Sequence, residues 1–215
     1  MSYALVVCDW DGTLIDSAST IAECIQEAAR ELGLEVPPRE RASHVIGLGL
    51  QDSLRIAVPD LASHRLVEFV EAYRRHFHAR EDAMRLFPGV EALLRDLART
   101  HALAIATGKS RRGLERALEA AGLQAYFATS RCADETHPKP HPAMLLEIMR
   151  ELSVPAAGSL MIGDTSHDLE MARGAGVDAL AVTYGAHPEP ALRACAPRAC
   201  FDSVAALREW LKRNA

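Results

Sequence analysis

Four short clusters in this 215-residue sequence hold most of the side chains that could do chemistry. Asp9-Trp10-Asp11-Gly12-Thr13 sets two carboxylates two positions apart. Thr107-Gly108-Lys109 offers a hydroxyl beside an ammonium. Lys139 precedes Pro140, and Gly163-Asp164 is followed four residues on by Asp168. Brought together, these four carboxylates repel one another unless a cation neutralises them. Mg²⁺ with oxygen ligands fits best where a phosphate is also bound. A carboxylate beside such a cation stays ionised and can attack phosphorus, giving an aspartyl-phosphate. An alkoxide leaves poorly, so a second carboxyl has to protonate it. On an extended strand end, residues i and i+2 point the same way. Asp9 and Asp11 can therefore take both roles, with Gly12 letting the chain turn sharply behind them.

Convergence requires elements that end where the clusters begin. Apolar runs at 3–8, 102–106, 125–129, 159–162 and 179–182 predict short strands buried on both faces. Segments 90–99, 114–121, 143–152 and 204–211 carry a helical period. The alternation predicts a doubly wound parallel sheet, an α/β Rossmann-like fold with its ligand at the carboxyl ends of the strands. Residues 17–85 break the alternation. Helix follows helix there, with stops at Gly33 and Pro37-Pro38 and an amphipathic run over 66–78. After the Phe87-Pro88-Gly89 turn the alternation resumes. The expected organisation is a core built from 1–16 and 86–215, with a helical insert over 17–85.

These residues carry a family resemblance. The string DWDGTLID at 9–16 resembles the first motif of the haloacid-dehalogenase-like superfamily. Residues 104–109 (AIATGK) resemble its second motif, Lys139 with Pro140-His141-Pro142 its third, and 163–168 (GDTSHD) with AGV at 175–177 its fourth. Four motifs in order, each at a predicted strand or loop end, make the signal specific. The insert resembles the family's C1 cap, and the whole looks most like the phosphoglycolate-phosphatase branch. The resemblance implies a Mg²⁺-dependent phosphatase of a small phosphorylated metabolite. In it Asp9 is the nucleophile, and Asp11 is the general acid and then the base. Asp9, the main-chain carbonyl of Asp11 and Asp164 hold Mg²⁺. Thr107, with backbone N–H groups about Asp11, Gly12 and Gly108, binds phosphate oxygens. Lys139 offsets the charge of the phosphoryl group and of Asp9, and Asp168 positions Lys139 or a metal-bound water. Such a transfer needs positive charge on the equatorial oxygens and in-line attack.

Single residues separate the near relatives. Haloacid dehalogenases lack the second Asp of the first motif, which is present here as Asp11. Phosphonatases place a Schiff-base Lys in the cap, and no Lys precedes Lys109. β-Phosphoglucomutases share the outline of 47–54 (GLGLQDSL), but carry an Arg where Leu50 stands and a His where Ile21 stands. The rival readings are a phosphoanhydride hydrolase such as a pyrophosphatase, a mutase-like phosphotransferase, and a non-catalytic binding module. Gly108 replaces the Asn common in the branch, which removes a side-chain hydrogen bond. Gly47 and Gly49 read either as a substrate loop or as a helix break. His167 and His187 lie near the expected rim without an assigned role, and Arg74-Arg75-His76 reads as the polar face of a cap helix.

Composition narrows the setting. The net charge of −5 argues against nucleic acid as a partner. Five Cys in odd number, without CxxC, argue against a disulfide framework or zinc site. No apolar stretch reaches the ~18 residues needed to span a bilayer, and the N-terminus lacks a signal-peptide pattern, so a reduced cytoplasm is expected. Of 24 basic residues only Lys109, Lys139 and Lys212 are lysines. Two of the three fall on motif positions.

Overall fold

The computed structural model describes residues 3–215. Six parallel strands form one sheet in the order β3-β2-β1-β4-β5-β6. They are β1 Leu5–Cys8, β2 Ala102–Thr107, β3 Thr129–Cys132, β4 Ser159–Gly163, β5 Asp178–Val182 and β6 Ala199–Phe201. β1 pairs on both sides, Val7 lying opposite Ala104 of β2 and Met161 of β4. The order reverses across the β1–β4 boundary, and it is outside such a reversal that α/β sheets bind ligands.

Side-chain alternation along the central strands feeds two cores. Val6, Cys8, Leu103, Ile105, Leu160 and Ile162 point to the face covered by α5 (Val90–Leu97), α6 (Arg111–Ala121) and α10 (Val204–Asn214). Leu5, Val7, Ala104, Ala106 and Met161 point to the other face, under α7 (Ala143–Leu152) and α8 (Ser166–Ala175). Burial on both faces is why these strands read as continuous apolar runs. A short α9 (Glu189–Ala194) covers the β5–β6 end through Leu192.

Four helices lie between β1 and α5: α1 Ala18–Glu31, α2 Arg39–His44, α3 Leu50–Ala57 and α4 Leu66–His78. Their apolar faces make a separate core around Ile25, Leu54 and Phe69. No strand occurs among them. The chain enters and leaves this region through backbone contacts that join Asp16 to Arg85 and Leu14 to Phe87.

Two strand expectations needed correction. The third strand is not at 125–129: Gln124–Tyr126 forms a single helical turn and the strand follows at Thr129–Cys132. The sixth strand, Ala199–Phe201, had no sequence signal. Both are edge strands with side chains mostly half-buried. Edge positions do not demand the apolar run that marks a central strand, so a search for such runs passes over them. No helix among the described residues is long and apolar enough to cross a membrane.

Candidate active site

β1 delivers Asp9 to the switch point. The Asp9 side chain is 1% exposed, and its Oδ1 lies 2.6 Å from Lys139 Nζ. The same ammonium, fully buried, lies 2.6 Å from Asp168 Oδ1. Asp9 Oδ2 has no hydrogen-bond partner. Asp168 Oδ2 accepts from the Thr165 N–H at 3.1 Å and from Thr165 Oγ1 at 2.6 Å. This capping box starts α8 and at the same time aims the other Asp168 oxygen at Lys139.

Asp164, completely buried at the end of β4, accepts from Thr13 Oγ1 at 2.8 Å and from the Ala186 N–H at 2.7 Å. Two glycines make room for it. A Cβ on Gly12 would come within 2.1 Å of Asp164 Oδ2, and one on Gly185 within 2.2 Å. Gly12 also has φ +80°, in the left-handed region that favours glycine. Asp11 faces elsewhere: Oδ1 accepts from Ser17 Oγ at 2.8 Å, and Oδ2 lies 3.0 Å from Lys109 Nζ.

The electrostatics call for more positive charge. Burial pushes the Asp9 carboxyl well above the usual range, against the pull of Lys139 and with the added push of Asp168 and Asp164. Burial, then the Asp168 charge, raises Asp164 to about 7. Lys139 is penalised by burial, yet Asp168 and Asp9 hold it above an ordinary lysine. One ammonium thus faces three carboxylates whose oxygens lie within 4.8 Å of one another. Both Asp168 oxygens are engaged, whereas Asp9 retains an unpartnered oxygen. Hard oxygen donors with excess negative charge fit Mg²⁺. Asp9 offers the open oxygen, while each Asp164 oxygen accepts one hydrogen bond from an uncharged donor and keeps a second lone pair.

Thr107 is completely buried at the end of β2, where its Oγ1 accepts from the Lys109 N–H at 3.2 Å. Gly108 has a steric reason for being glycine. A Cβ there would come within 2.5 Å of the carbonyl oxygens of both Gly47 and Leu48. The α2–α3 loop therefore packs directly on the β2–α6 loop, and the missing Asn is the consequence of that contact. Lys109 spans the same gap: beyond Asp11, its Nζ stands 4.7 Å from the centroid of the Phe77 ring on α4.

Several contributors carried no sequence signal of their own. Thr13 is part of the first motif, but its role as an Asp164 donor needs the 151-residue separation to close. Gly185, Ala186 and Ser17 belong to no motif. His44, at the end of α2, presents its carbonyl oxygen to two imidazoles, His167 Nε2 at 2.8 Å and His187 Nε2 at 3.0 Å. Ser166 N–H donates to His187 Nδ1 at 3.0 Å, so His187 is a neutral ring protonated at Nε2. Both nitrogens of His187 are spent on hydrogen bonds. The trio is a junction between α2 and α8, although its nitrogens lie close enough to suggest a metal site.

A parallel sheet with buried carboxylates and a buried lysine at its switch point defines the class, an α/β enzyme. The chain belongs to the haloacid dehalogenase-like hydrolase family, whose profile matches residues 6–182. It is 38% identical over 207 residues to the probable phosphatase IndB of Dickeya dadantii, covering 93% of this chain and 89% of that protein. Phosphoglycolate phosphatase of Pseudomonas putida is 31% identical, with 94% and 78% covered. The tyrosine-protein kinase PtkA of Mycobacterium tuberculosis is 32% identical over 84% of this chain, which spans 62% of that protein. A hydrolase from Pseudomonas syringae shares the fold with a TM-score of 0.89 over the whole of both chains, at 20% identity.

Proposed function

We propose that this chain is a Mg²⁺-dependent phosphatase that hydrolyses a small phosphate monoester through an aspartyl-phosphate on Asp9. The observation that carries the reading is Asp9 Oδ2: a buried carboxylate oxygen without a partner, next to an oxygen held by a buried lysine. Asp9, Asp164 and the main-chain carbonyl of Asp11 would hold Mg²⁺, which would supply positive charge to offset the carboxylates and the phosphoryl group.

The remaining steps belong to the chain. A carboxylate oxygen of Asp9 attacks phosphorus in line with the ester oxygen. Asp11 must first leave its ion pair with Lys109 and take up a proton from solvent, which it then gives to the ester oxygen as the P–O bond breaks. Asp11, now a carboxylate, takes a proton from a water that attacks the phosphoryl group. This releases inorganic phosphate and restores Asp9. Thr107 and backbone N–H groups about Asp11 and Gly108 hold phosphoryl oxygens, whereas the Gly12 N–H, expected to join them, is taken by the Ile15 carbonyl at 2.9 Å; Lys139 keeps Asp9 oriented. The helices over 17–85 act as a cap that excludes water and selects the leaving group. All five cysteines are free thiols, which fits a reducing cytoplasm.

Asp9→Asn should lower p-nitrophenyl phosphate hydrolysis by at least about 10³-fold with an unchanged circular dichroism spectrum. EDTA should stop the parent enzyme and added Mg²⁺ restore it. An Asp9→Asn protein as fast as the parent would end the assignment.

A further inference from the structure

The cavity that opens on Asp9 and Asp11 continues into about 780 Å³ between the α1–α4 helices and the loops after β2 and β3. One wall is apolar, with Ile21, Ile25, Val70, Tyr73 and Phe77. The Tyr73 and Phe77 rings stack at 5.8 Å and 25°, presenting an aromatic surface. The gap is not simply an open cleft, since Gly47 and Leu48 already touch Gly108 and His44 is already bonded to His167 and His187. Ligand sites of roughly 300–1,000 Å³ take molecules far larger than a two-carbon acid.

The charge of this cavity is selective. Arg74 from α4 and Arg112 from α6 both line it, and neither has an ion-pair partner among the described residues. Their immediate neighbours are paired, Arg75 with Glu31 and Arg111 with Glu135. Of the Arg74-Arg75-His76 run, then, only Arg74 turns to the cavity; His76 pairs with Glu27 and Glu31. Arg112 lies in the first turn of α6, where the helix dipole disfavours a cation, so helix stability does not explain it. The other lining acids are engaged elsewhere, Asp52 with Arg55 and Asp134 with the Arg111 N–H. His78 and Arg116, also in the lining, share Glu81.

Resting on the phosphatase reading above, we infer that the cavity takes a leaving group with an apolar or aromatic body and a second anionic group, and that Arg74 and Arg112 clamp that anion from the two sides. The anion is a carboxylate or a second phosphate, both matched by the guanidinium fork. The substrate class is therefore a bulky, doubly anionic phosphate monoester.

The test compares kcat/KM for 2-phosphoglycolate, phenyl phosphate, 4-carboxyphenyl phosphate and 1,4-phenylene bisphosphate, with Mg²⁺ present. One of the last two should exceed both phenyl phosphate and phosphoglycolate by about tenfold or more, and the better of the two identifies the anion. The double variant Arg74→Ala/Arg112→Ala should lose that preference over phenyl phosphate by about tenfold, mostly in KM. Arg75→Ala, which removes a neighbouring charge outside the cavity, should keep it. Phosphoglycolate as the best substrate, or a preference that survives the double variant, would overturn the inference. Hydrolysis of none of the four esters would instead defeat the phosphatase reading itself.

Discussion

Lys139 shows what a residue's type contributes beyond its charge. Its ammonium makes two 2.6 Å contacts to Asp9 and Asp168 from a position with no exposed side-chain surface. Removing one partner from a buried pair costs about 3–5 kcal/mol, so the three groups stand or fall together. A guanidinium keeps the charge but is larger and bonds in a planar fork. In a filled space its extra volume costs about 1–3 kcal/mol and turns Asp9 out of line. Lys139→Arg should therefore fold and yet lose about 10²-fold in kcat on p-nitrophenyl phosphate. Lys212→Arg is the matched control. That side chain is half-exposed on α10, 3.2 Å from Glu209, and its replacement should match the parent in rate and melting temperature. A fully active Lys139→Arg would show that charge alone matters at this position. In a chain with only three lysines among 24 basic residues, the distinction has weight.

At the scale of elements, the contact that matters joins the α2–α3 loop to the sheet. Gly108 lets the Gly47 and Leu48 carbonyls approach, and the His44 carbonyl is held by two imidazole N–H groups. His44 also stacks on His187 at 5.0 Å and 15°. The junction works only with His187 neutral, because a second ring proton would confront the Ser166 N–H. Burial, reinforced by His167, lowers His187 to about 4 from 6.5. Between those values the unfolded chain binds a proton that the native chain does not, so stability is lost as pH falls through the window. The loss attributable to His187 reaches up to about 2 kcal/mol by pH 5. Denaturant titrations at pH 7 and pH 5 should show it, and His187→Gln should flatten the dependence. A Gln can still accept from Ser166 and donate to His44 but cannot titrate. An undiminished acid loss in His187→Gln would place the sensitivity elsewhere.

Across the whole molecule, what was legible follows burial. β1, β2, β4 and β5 are apolar because both faces are covered, and each motif stands at a strand end or a loop. Edge strand β3 escaped because half-buried positions tolerate Thr, Ser and Arg, and β6 because three residues, though apolar, are too short to stand out as a run. The hydrogen bonds that tune the site escaped for a different reason. Ala186 N–H on Asp164 and His44 under His167 and His187 join segments 22, 123 and 143 positions apart, and no local pattern encodes such closures. Those closures bury the carboxylates, and burial makes the site's demand for a cation measurable. Asp164, raised to about 7 by burial and by Asp168, holds a proton in the metal-free native chain that the unfolded chain has released above 3.8. That contribution to stability is complete below the unfolded value and is lost as pH rises through about 7. A divalent cation replaces the proton, so its binding tightens over the same interval. At a hundred times its Kd it adds about 2.7 kcal/mol. The rise in melting temperature on adding Mg²⁺ should therefore be larger at pH 8 than at pH 6, and Asp164→Asn should lose most of it. A rise that is the same at both pH values, or that survives in Asp164→Asn, would mean that the cation binds away from these carboxylates.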